Sequence, residues 1–449
     1  MIPIKRLAII GAGPSSLSLM RAFRIAQLNG AKIPEIVCFE KQNDWGGLWN
    51  YTWRTGTDEY GDTVHGSMYH NLWTNNPIEL VEYSDYTLIE HFGKSIPSFV
   101  PRAVMFDYII GRANKSDIRK FIKFNMRVES VVYVSHKFTL VVWDKKDNIM
   151  FTEVFDYLVV ASGRFSVPYI PEYQGIITFP GRVLHSHDFR NAEQFKGMDI
   201  LIIGSGLSAE DIAIQCWKYG SKSVTIIYRH KPIGHNWPDG IKEVHYLENI
   251  EGNIASFRDG SQQTADVIIF CTGYLFYFPF LENTLKYDYT QQRCPGLYKG
   301  TVFQNNHKLF YIGMTTRLYP LLIFNLQAWF VRDVIMKNLP LPSQEYIDKD
   351  ISHWLSKRAK LNFPSDRLAY ETDYVNDLLL LLSGYPKFNF DLLCQYRLVL
   401  REHKRRNILT FRDQSYKSAV TGTVSPCRLV KWVDAKEESL ESFLDSKFV

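Results

Sequence analysis

LAIIGAGPSS, the sequence of residues 7–16, passes from four consecutive apolar residues into a glycine-rich turn. The apolar run is typical of a buried parallel strand, and a helix is predicted to follow over residues 15–27. A second apolar run covers residues 36–40, which completes a strand, helix, strand crossover. Gly11 permits a tight turn, and Gly13 lets the backbone approach a pyrophosphate at the helix amino terminus. This stretch therefore predicts a dinucleotide-binding unit.

Two side chains bear on how well the first unit fits a dinucleotide-binding site. Ser16 stands where a third glycine is usual, but it is small enough for close helix packing. Glu40 ends the second predicted strand, where an acidic side chain holds a ribose hydroxyl and repels a phosphate. The alternative is a sharp turn beside an exposed glutamate.

The same pattern returns near the middle of the chain. Residues 199–203 and 223–228 are predicted strands, and residues 208–219 are the helix between them. The turn GSGLSA, residues 204–209, joins the first strand to this helix. Arg229 ends the second strand, which suits a 2′-phosphate, although a solvated basic strand end is the alternative. Opposite charges at the two ribose positions predict two different dinucleotides, FAD and NADPH.

The predicted fold class is α/β, with two Rossmann-like dinucleotide-binding domains. Residues 1–169 and 276–449 are assigned to a split FAD-binding domain, and residues 170–275 to an inserted NADPH-binding domain. Residues 123–143 alternate and are rich in β-branched side chains, which predicts an antiparallel hairpin. Beyond residue 340 the chain is predicted to be helical.

Composition narrows the class of protein. The chain has 449 residues, 46% of them hydrophobic, and a net charge of +5. This balance is globular, and the absence of a long basic run argues against a nucleic-acid partner. No segment reaches about 18 apolar residues and no leader precedes the first strand, so no membrane contact is expected. The six cysteines form no CxxC pair, which favours a reduced, cytoplasmic protein. The sequence does not determine the oligomeric state, and a homodimer is one possibility.

A second motif carries a family resemblance. FPGRVLHSHDF, residues 179–189, resembles the FxGxxxHxxxF/Y fingerprint of class B flavin-containing monooxygenases, and it lies between the two glycine turns as in that family. The similarity covers nearly the whole chain and is strongest to the bacterial trimethylamine monooxygenases. It includes residues 37–42, 45–54, 184–190, 208–212 and 327–329.

The resemblance implies a flavoprotein monooxygenase that uses FAD, NADPH and O2. Such enzymes oxygenate soft nucleophiles, converting tertiary amines such as trimethylamine to N-oxides or sulfides to S-oxides. The reaction proceeds through a hydroperoxyflavin that bound NADP⁺ protects. The chemistry therefore comes from the cofactors and not from a side-chain triad.

Site residues follow from the glycine turns and from the resemblance. The residues expected around FAD are Gly11, Gly13, Ser15, Glu40, Gln42, Gly47, Leu48, Trp49, His65 and Val128. Those expected around NADPH are Trp73, Gly204, Ser205, Gly206, Ser208, Arg229, His230 and Arg412. Asn75 matches the asparagine that helps to hold NADP⁺ and the oxygenated flavin, and it is the one residue expected in the catalytic centre. Without the resemblance, Asn75 would be read as a turn former.

Other functions share some of these sequence features. A disulfide reductase needs a redox dithiol, which the chain lacks. An NADPH oxidase that releases peroxide and a non-catalytic redox sensor remain alternatives. His185 and His187 are not expected to bind a metal, because no cluster completes a site. Leu207 and Leu318 stand where the trimethylamine monooxygenases carry aromatic residues, which favours a different substrate or weak amine turnover.

Overall fold

The computed structural model describes residues 4–285, 296–314, 318–436 and 439–449. Cys294 lies outside these ranges. The first sheet has seven strands, and the five at its centre and far edge are parallel to one another. In order across the sheet the strands are Leu297–Tyr298, Val302–Phe303, Leu309–Tyr311, Tyr157–Val160, Arg6–Ile10, Glu35–Phe39 and Ile122–Lys123.

The second sheet has five strands, all parallel. In order they are Ile241–His245, Ser223–Tyr228, Asp199–Ile203, Val267–Phe270 and Arg182–His185. Apolar side chains of its central strand point alternately into two separate clusters of buried residues, one on each face. A parallel sheet buried on both faces explains why these strands are continuous apolar runs.

The remaining strands form three smaller antiparallel sheets. The hairpin predicted within residues 123–143 is present, and the structure adds a third strand to it. Its strands are Met126–Val134, Lys137–Asp144 and Ile149–Phe155. A second meander consists of Leu247–Glu251, Ile254–Phe257 and Gln262–Thr264, and a two-stranded ribbon pairs Val167–Pro168 with Tyr274–Leu275.

The order of strands along the chain shows an insertion. The first sheet takes its strands from residues 6–160 and 297–311, whereas the second takes all of its strands from residues 182–270. The chain passes from one sheet to the other through the two-stranded ribbon, where its outgoing and returning segments pair. The predicted α/β class with two Rossmann-like units is confirmed. We propose that the predicted boundaries at residues 169/170 and 275/276 mark the domains, since both lie beside this ribbon.

The helices lie mainly around the first sheet and at the carboxyl end. They are Pro14–Leu28, Leu88–Phe92, Arg102–Lys115, Leu207–Lys218, Pro320–Ile335, Gln344–Ala359, Pro364–Leu379, Phe390–Arg406 and Leu440–Leu444. The prediction of helices beyond residue 340 holds as far as Arg406. Residues 407–436 are largely irregular and pack back over the molecule. Among the described helices, none combines the length and the apolar character needed to cross a bilayer.

Candidate flavin and nicotinamide nucleotide sites

The first glycine turn is partly buried and in close contact with neighbouring backbone. Gly11 has φ +96°, and a Cβ on it would lie 2.9 Å from the carbonyl oxygen of Ala161. Gly47 crosses the turn so closely that its own Cβ would lie 2.9 Å from Gly13 Cα. Both positions therefore require glycine. A Cβ on Gly13 would meet Gly47 at 3.6 Å, an ordinary contact, so the protein itself leaves room for a methyl group there.

Glu40 is built into this turn. Its side chain is buried, and it accepts hydrogen bonds from the backbone N–H groups of Ala12 at 2.6 Å and Gln42 at 2.9 Å. Burial raises the pKa of Glu40, and the two backbone donors oppose that rise. Ser16 donates to the carbonyl of Gly13 at 2.8 Å, which shows how a serine is accommodated in place of the third glycine.

The other residues predicted around FAD come from several elements. Ser15 is the second residue of the first helix, Leu48 and Trp49 lie in the short 3-10 turn that begins at Gly47, and Val128 is buried in the three-stranded meander. His65 lies beside the end of the strand Tyr157–Val160, since a Cβ on Gly163 would be 3.5 Å from its Nε2. Burial, with the nearby charge of Lys41, lowers the pKa of His65 to about 3, so its imidazole is neutral at physiological pH.

The second glycine turn is open. Gly204 has φ +125°, and a Cβ on it would collide with the carbonyl of Cys271. A Cβ on Gly206 would have no other atom within 4 Å, and Ser205 and Ser208 are exposed. Leu207 begins the helix with 50% of its surface exposed. Unshared N–H groups at this helix start are therefore accessible to an anionic ligand.

Arg229 and His230 lie at the predicted strand end and are exposed. The guanidinium donates to His230 Nε2 at 3.0 Å and forms no ion pair among the described residues. An exposed arginine at this position is free to pair with a phosphate.

Asn75 lies in a segment joined to the second unit. Its neighbour Thr74 accepts a hydrogen bond through its carbonyl from Arg412 Nε at 3.1 Å, and Arg412 also pairs with Asp211 in the helix Leu207–Lys218. Arg412 is buried, and its Nη1 has no partner within the protein. Trp73 is buried too, between Arg428 and Phe443, so its indole packs into the core.

A buried cluster of charges at the second unit was not foreseen. Glu210, also on the helix Leu207–Lys218, accepts from His235 at 2.8 Å and from Lys404 at 2.5 Å. Burial alone would raise the pKa of Glu210, but Lys404 and His235 together lower it to about 2. The cluster joins the second unit to the helix Phe390–Arg406, and no local sequence signal marks it because Lys404 is 194 residues away.

The two histidines of the fingerprint lie side by side in the interior. His185 and His187 are both buried, and His185 Nδ1 accepts from the backbone N–H of His187 at 3.0 Å. Burial and the neighbouring His187 lower the pKa of His185 to about 4. Within the described ranges, no group of three metal-binding side chains is present. Tyr274 packs edge-on against His185, which ties the fingerprint to the ribbon between the sheets.

The arrangement fits two nucleotides. A flat glycine surface with a buried acid beside it suits FAD at the first turn. At the second turn, an open helix start, an exposed Arg229 and the unpartnered Nη1 of Arg412 suit an anionic coenzyme.

Comparison with known proteins agrees with this arrangement. The model of the family described as flavin-binding monooxygenase-like matches residues 4–230 and 241–402. This chain belongs to the flavin-binding monooxygenase-like family. The predictions of a flavoprotein monooxygenase and of FAD and NADPH as its cofactors are thereby confirmed.

Individual known proteins are similar over nearly all of the chain. Trimethylamine monooxygenase of Pelagibacter sp. (strain HTCC7211) is 51% identical, with 99% of this chain and 100% of that protein covered. The crystal structure of Tmm from the same strain superposes with a TM-score of 0.95, at 52% identity, covering 98% of this chain and 100% of that one. S-allyl-L-cysteine S-oxygenase from Allium sativum superposes with a TM-score of 0.79, at 26% identity, covering 92% and 95%.

Proposed function

We propose that this monooxygenase converts trimethylamine to trimethylamine N-oxide. The observation that carries the proposal is the full-length identity of about one half to a trimethylamine monooxygenase, with no part of either chain left unmatched that could hold another active site. The proposed site comprises the residues predicted around FAD and NADPH, with Asn75 between the two nucleotides.

FAD, when bound and reduced by NADPH, supplies activated oxygen to a soft nucleophile. The first glycine turn and Glu40 would hold FAD, with Ser15, Gln42, Leu48, Trp49, His65 and Val128 lining its site. Because His65 is neutral, it can orient a neighbouring polar group without adding a charge.

The second glycine turn, Arg229 and His230 would hold NADPH. Arg412 has a separate role in this proposal. Its Nε and Nη2 bind Thr74 and Asp211, so its remaining Nη1 is fixed in direction and available to the coenzyme. Arg412 thus connects the backbone beside Asn75 to the helix that begins at the second turn. Asn75 would keep water away from the oxygenated centre by filling its polar contacts with the coenzyme.

A product assay tests the proposal. Purified protein loaded with FAD is given NADPH, air and trimethylamine, and N-oxide, peroxide and consumed NADPH are measured together. We expect close to one N-oxide for each NADPH. Peroxide equal to NADPH with every substrate would identify an oxidase, and NADPH that is not consumed would identify a redox sensor.

Sulfide oxygenation is a second candidate. Leu207 and Leu318 replace aromatic residues of the trimethylamine monooxygenases, and ring faces favour a cationic amine over a neutral sulfide. The fold similarity to a plant S-oxygenase is consistent with such activity. Arg317, next to Leu318, lies outside the described residues. A dialkyl sulfide in the same assay tests this candidate, and a higher kcat/KM for the sulfide than for trimethylamine would favour it.

We further propose a cytoplasmic enzyme, with a homodimer as the alternative to a monomer. Light scattering of the purified holoprotein separates the two oligomeric states.

A further inference from the structure

A small cavity lies apart from both glycine turns and is lined by acidic, hydroxyl and apolar side chains. Glu79 and Glu82 supply its carboxyl groups. Its hydroxyl side chains are Ser95, Ser418, Thr421, Thr423 and Ser425. Leu88, Ile89 and Ile96 complete the lining with apolar side chains. No nitrogen or sulfur side chain contributes, so every polar side chain of the cavity offers oxygen atoms.

Glu79 carries an unsatisfied oxygen. The residue is 2% exposed, and its Oε1 accepts from Ser98 at 2.7 Å and from Ser425 at 2.5 Å. Its Oε2 has no hydrogen-bond partner, although it is fully buried. A buried carboxylate oxygen without a donor is costly, which points to a ligand that supplies positive charge.

Glu82 adds a second buried acid without a counter-charge. It accepts from the backbone N–H of Leu88 at 2.9 Å and from Ser418 Oγ at 2.6 Å. Throughout the part of the chain that the structure describes, no basic side chain forms an ion pair with Glu79 or Glu82. Buried charges are normally paired, so two adjacent buried carboxyl groups need a partner from outside the chain or a proton.

We propose that this cavity binds a small monovalent cation, an alkali metal ion or ammonium, between Glu79 and Glu82. Oxygen-only ligands select hard cations over transition metals. A third acidic ligand, which a divalent ion would favour, is missing from the lining. The three hydroxyl donors and one backbone donor already offset part of the negative charge.

The cation would join two distant parts of the chain. Glu79 and Glu82 follow the segment of Asn75, whereas Ser418 and Ser425 belong to the irregular stretch after Arg412. The backbone N–H of Tyr416 donates to Ser98 at 2.9 Å, so the two parts are already in contact beside the cavity. Binding would therefore stabilise the carboxyl-terminal stretch that directly follows Arg412.

A proton on Glu79 would compete with the cation for the carboxylate. Burial, with the nearby charge of Glu82, raises the pKa of Glu79 to about 7. Besides Glu82, the titratable groups whose charge interacts with Glu79 are Tyr396 and Tyr416. The test is therefore made at about pH 8, where Glu79 is ionised and both phenols remain neutral.

Thermal unfolding of the FAD-loaded protein provides the measurement. The Tm is compared in sodium, potassium, ammonium and tetraethylammonium chloride at equal ionic strength, since the last cation is too large for the cavity. We expect a small cation to raise the Tm by about 3 °C over tetraethylammonium. Glu79→Gln should abolish this difference, whereas the exposed control Glu248→Gln should retain it. The preferred ion among the three identifies the occupant.

Two results would overturn the proposal. An equal Tm in all four salts would mean that a proton alone neutralises the pair. An equal cation response in wild type and Glu79→Gln would mean that the ion binds elsewhere. If Glu79→Gln does not fold, Thr423→Val and Ser425→Ala remove oxygen ligands without removing a charge. A full cation response in both of these variants would also reject the site.

Discussion

The two glycine turns have the same sequence pattern but different surroundings. At the first turn, Gly47 crosses close to Gly13, and the buried Glu40 accepts a hydrogen bond from Ala12. At the second turn, Gly206 faces open space, and Arg229, the counterpart of Glu40, is exposed. One turn is thus partly buried and closely crossed by neighbouring backbone, and the other is exposed at the surface.

This difference corresponds to two ways of using a nucleotide. A cofactor that stays bound through many reactions benefits from a preformed, enclosed site, because its contacts are ordered before binding. A coenzyme that enters and leaves in each reaction needs an accessible site and a charge that attracts it. The surroundings, and not the glycine pattern, therefore distinguish the proposed FAD site from the proposed NADPH site.

Matched alanine substitutions at the two turns give the largest expected effects. Gly13→Ala should lower FAD affinity by about tenfold or more, because the methyl group occupies the space of the pyrophosphate. Gly206→Ala should raise the KM for NADPH by a similar factor and leave the flavin content unchanged. Both residues have extended backbone angles, and neither Cβ meets protein closer than 3.6 Å. Flavin absorbance and steady-state kinetics provide the measurements.

The thermal stability of the FAD-free form is the control for this pair, and it should match the wild-type apoprotein. Full flavin occupancy in Gly13→Ala would show that the first turn does not bind the pyrophosphate. Loss of flavin in Gly206→Ala would remove the distinction between the turns.

Removal of the positive charge of Arg229, beside the open turn, should have the next largest effect. Arg229→Ala should raise the KM for NADPH about tenfold, since a charge-assisted pair with the 2′-phosphate contributes about 1.5–3 kcal/mol. The KM for NADH should hardly change. Lys231→Ala is the matched control, because Lys231 donates to the carbonyl of Asn362 instead. Equal losses with NADPH and NADH would contradict the assignment of Arg229.

Asn75 tests the contact between the two sites. Asn75→Ala should lower the ratio of oxygenated product to NADPH consumed by about fivefold, because water reaches the reaction centre. Anaerobic reduction of the flavin by NADPH should persist. Peroxide should account for the missing product, and the exposed Asn253→Ala should behave as wild type. An unchanged ratio would leave Asn75 as a turn residue.

A substitution of Leu207, which lies at the entrance of the open turn, should have the smallest effect on activity. Leu207→Tyr should raise kcat/KM for trimethylamine about threefold, since an exposed cation–π contact contributes about 0.5–1 kcal/mol. Leu207→Met controls for a change of side-chain length. An equal gain with a neutral sulfide would rule out the ring and cation contact as the cause.

The local parts of the fold could be predicted from sequence. The strands Asp199–Ile203 and Ser223–Tyr228 have the bounds that their apolar runs predicted, because both are buried on two faces and end at a turn. The strand Ile149–Phe155 was missed, since its exposed residues dilute the alternating pattern. Each signal that succeeded lies within a few residues of the feature it predicts.

The candidate site was less accessible to such reasoning. The turns predict which glycines approach a nucleotide, but they do not show that the first is enclosed by Gly47. The links from Glu210 to Lys404 and from Asp211 to Arg412 span 194 and 201 residues. A pairing over that distance leaves no periodicity in the chain, so only the folded structure shows it.

The ribbon of Val167–Pro168 and Tyr274–Leu275 makes the inserted unit a cassette. Its two ends lie side by side, a geometry that lets one domain be exchanged for another without stretching the host. A cassette cut there would also carry Glu210 and Asp211 away from Lys404 and Arg412. A foreign coenzyme unit would therefore have to present two carboxylates at the start of its first helix, or leave two buried cations of the host unpaired.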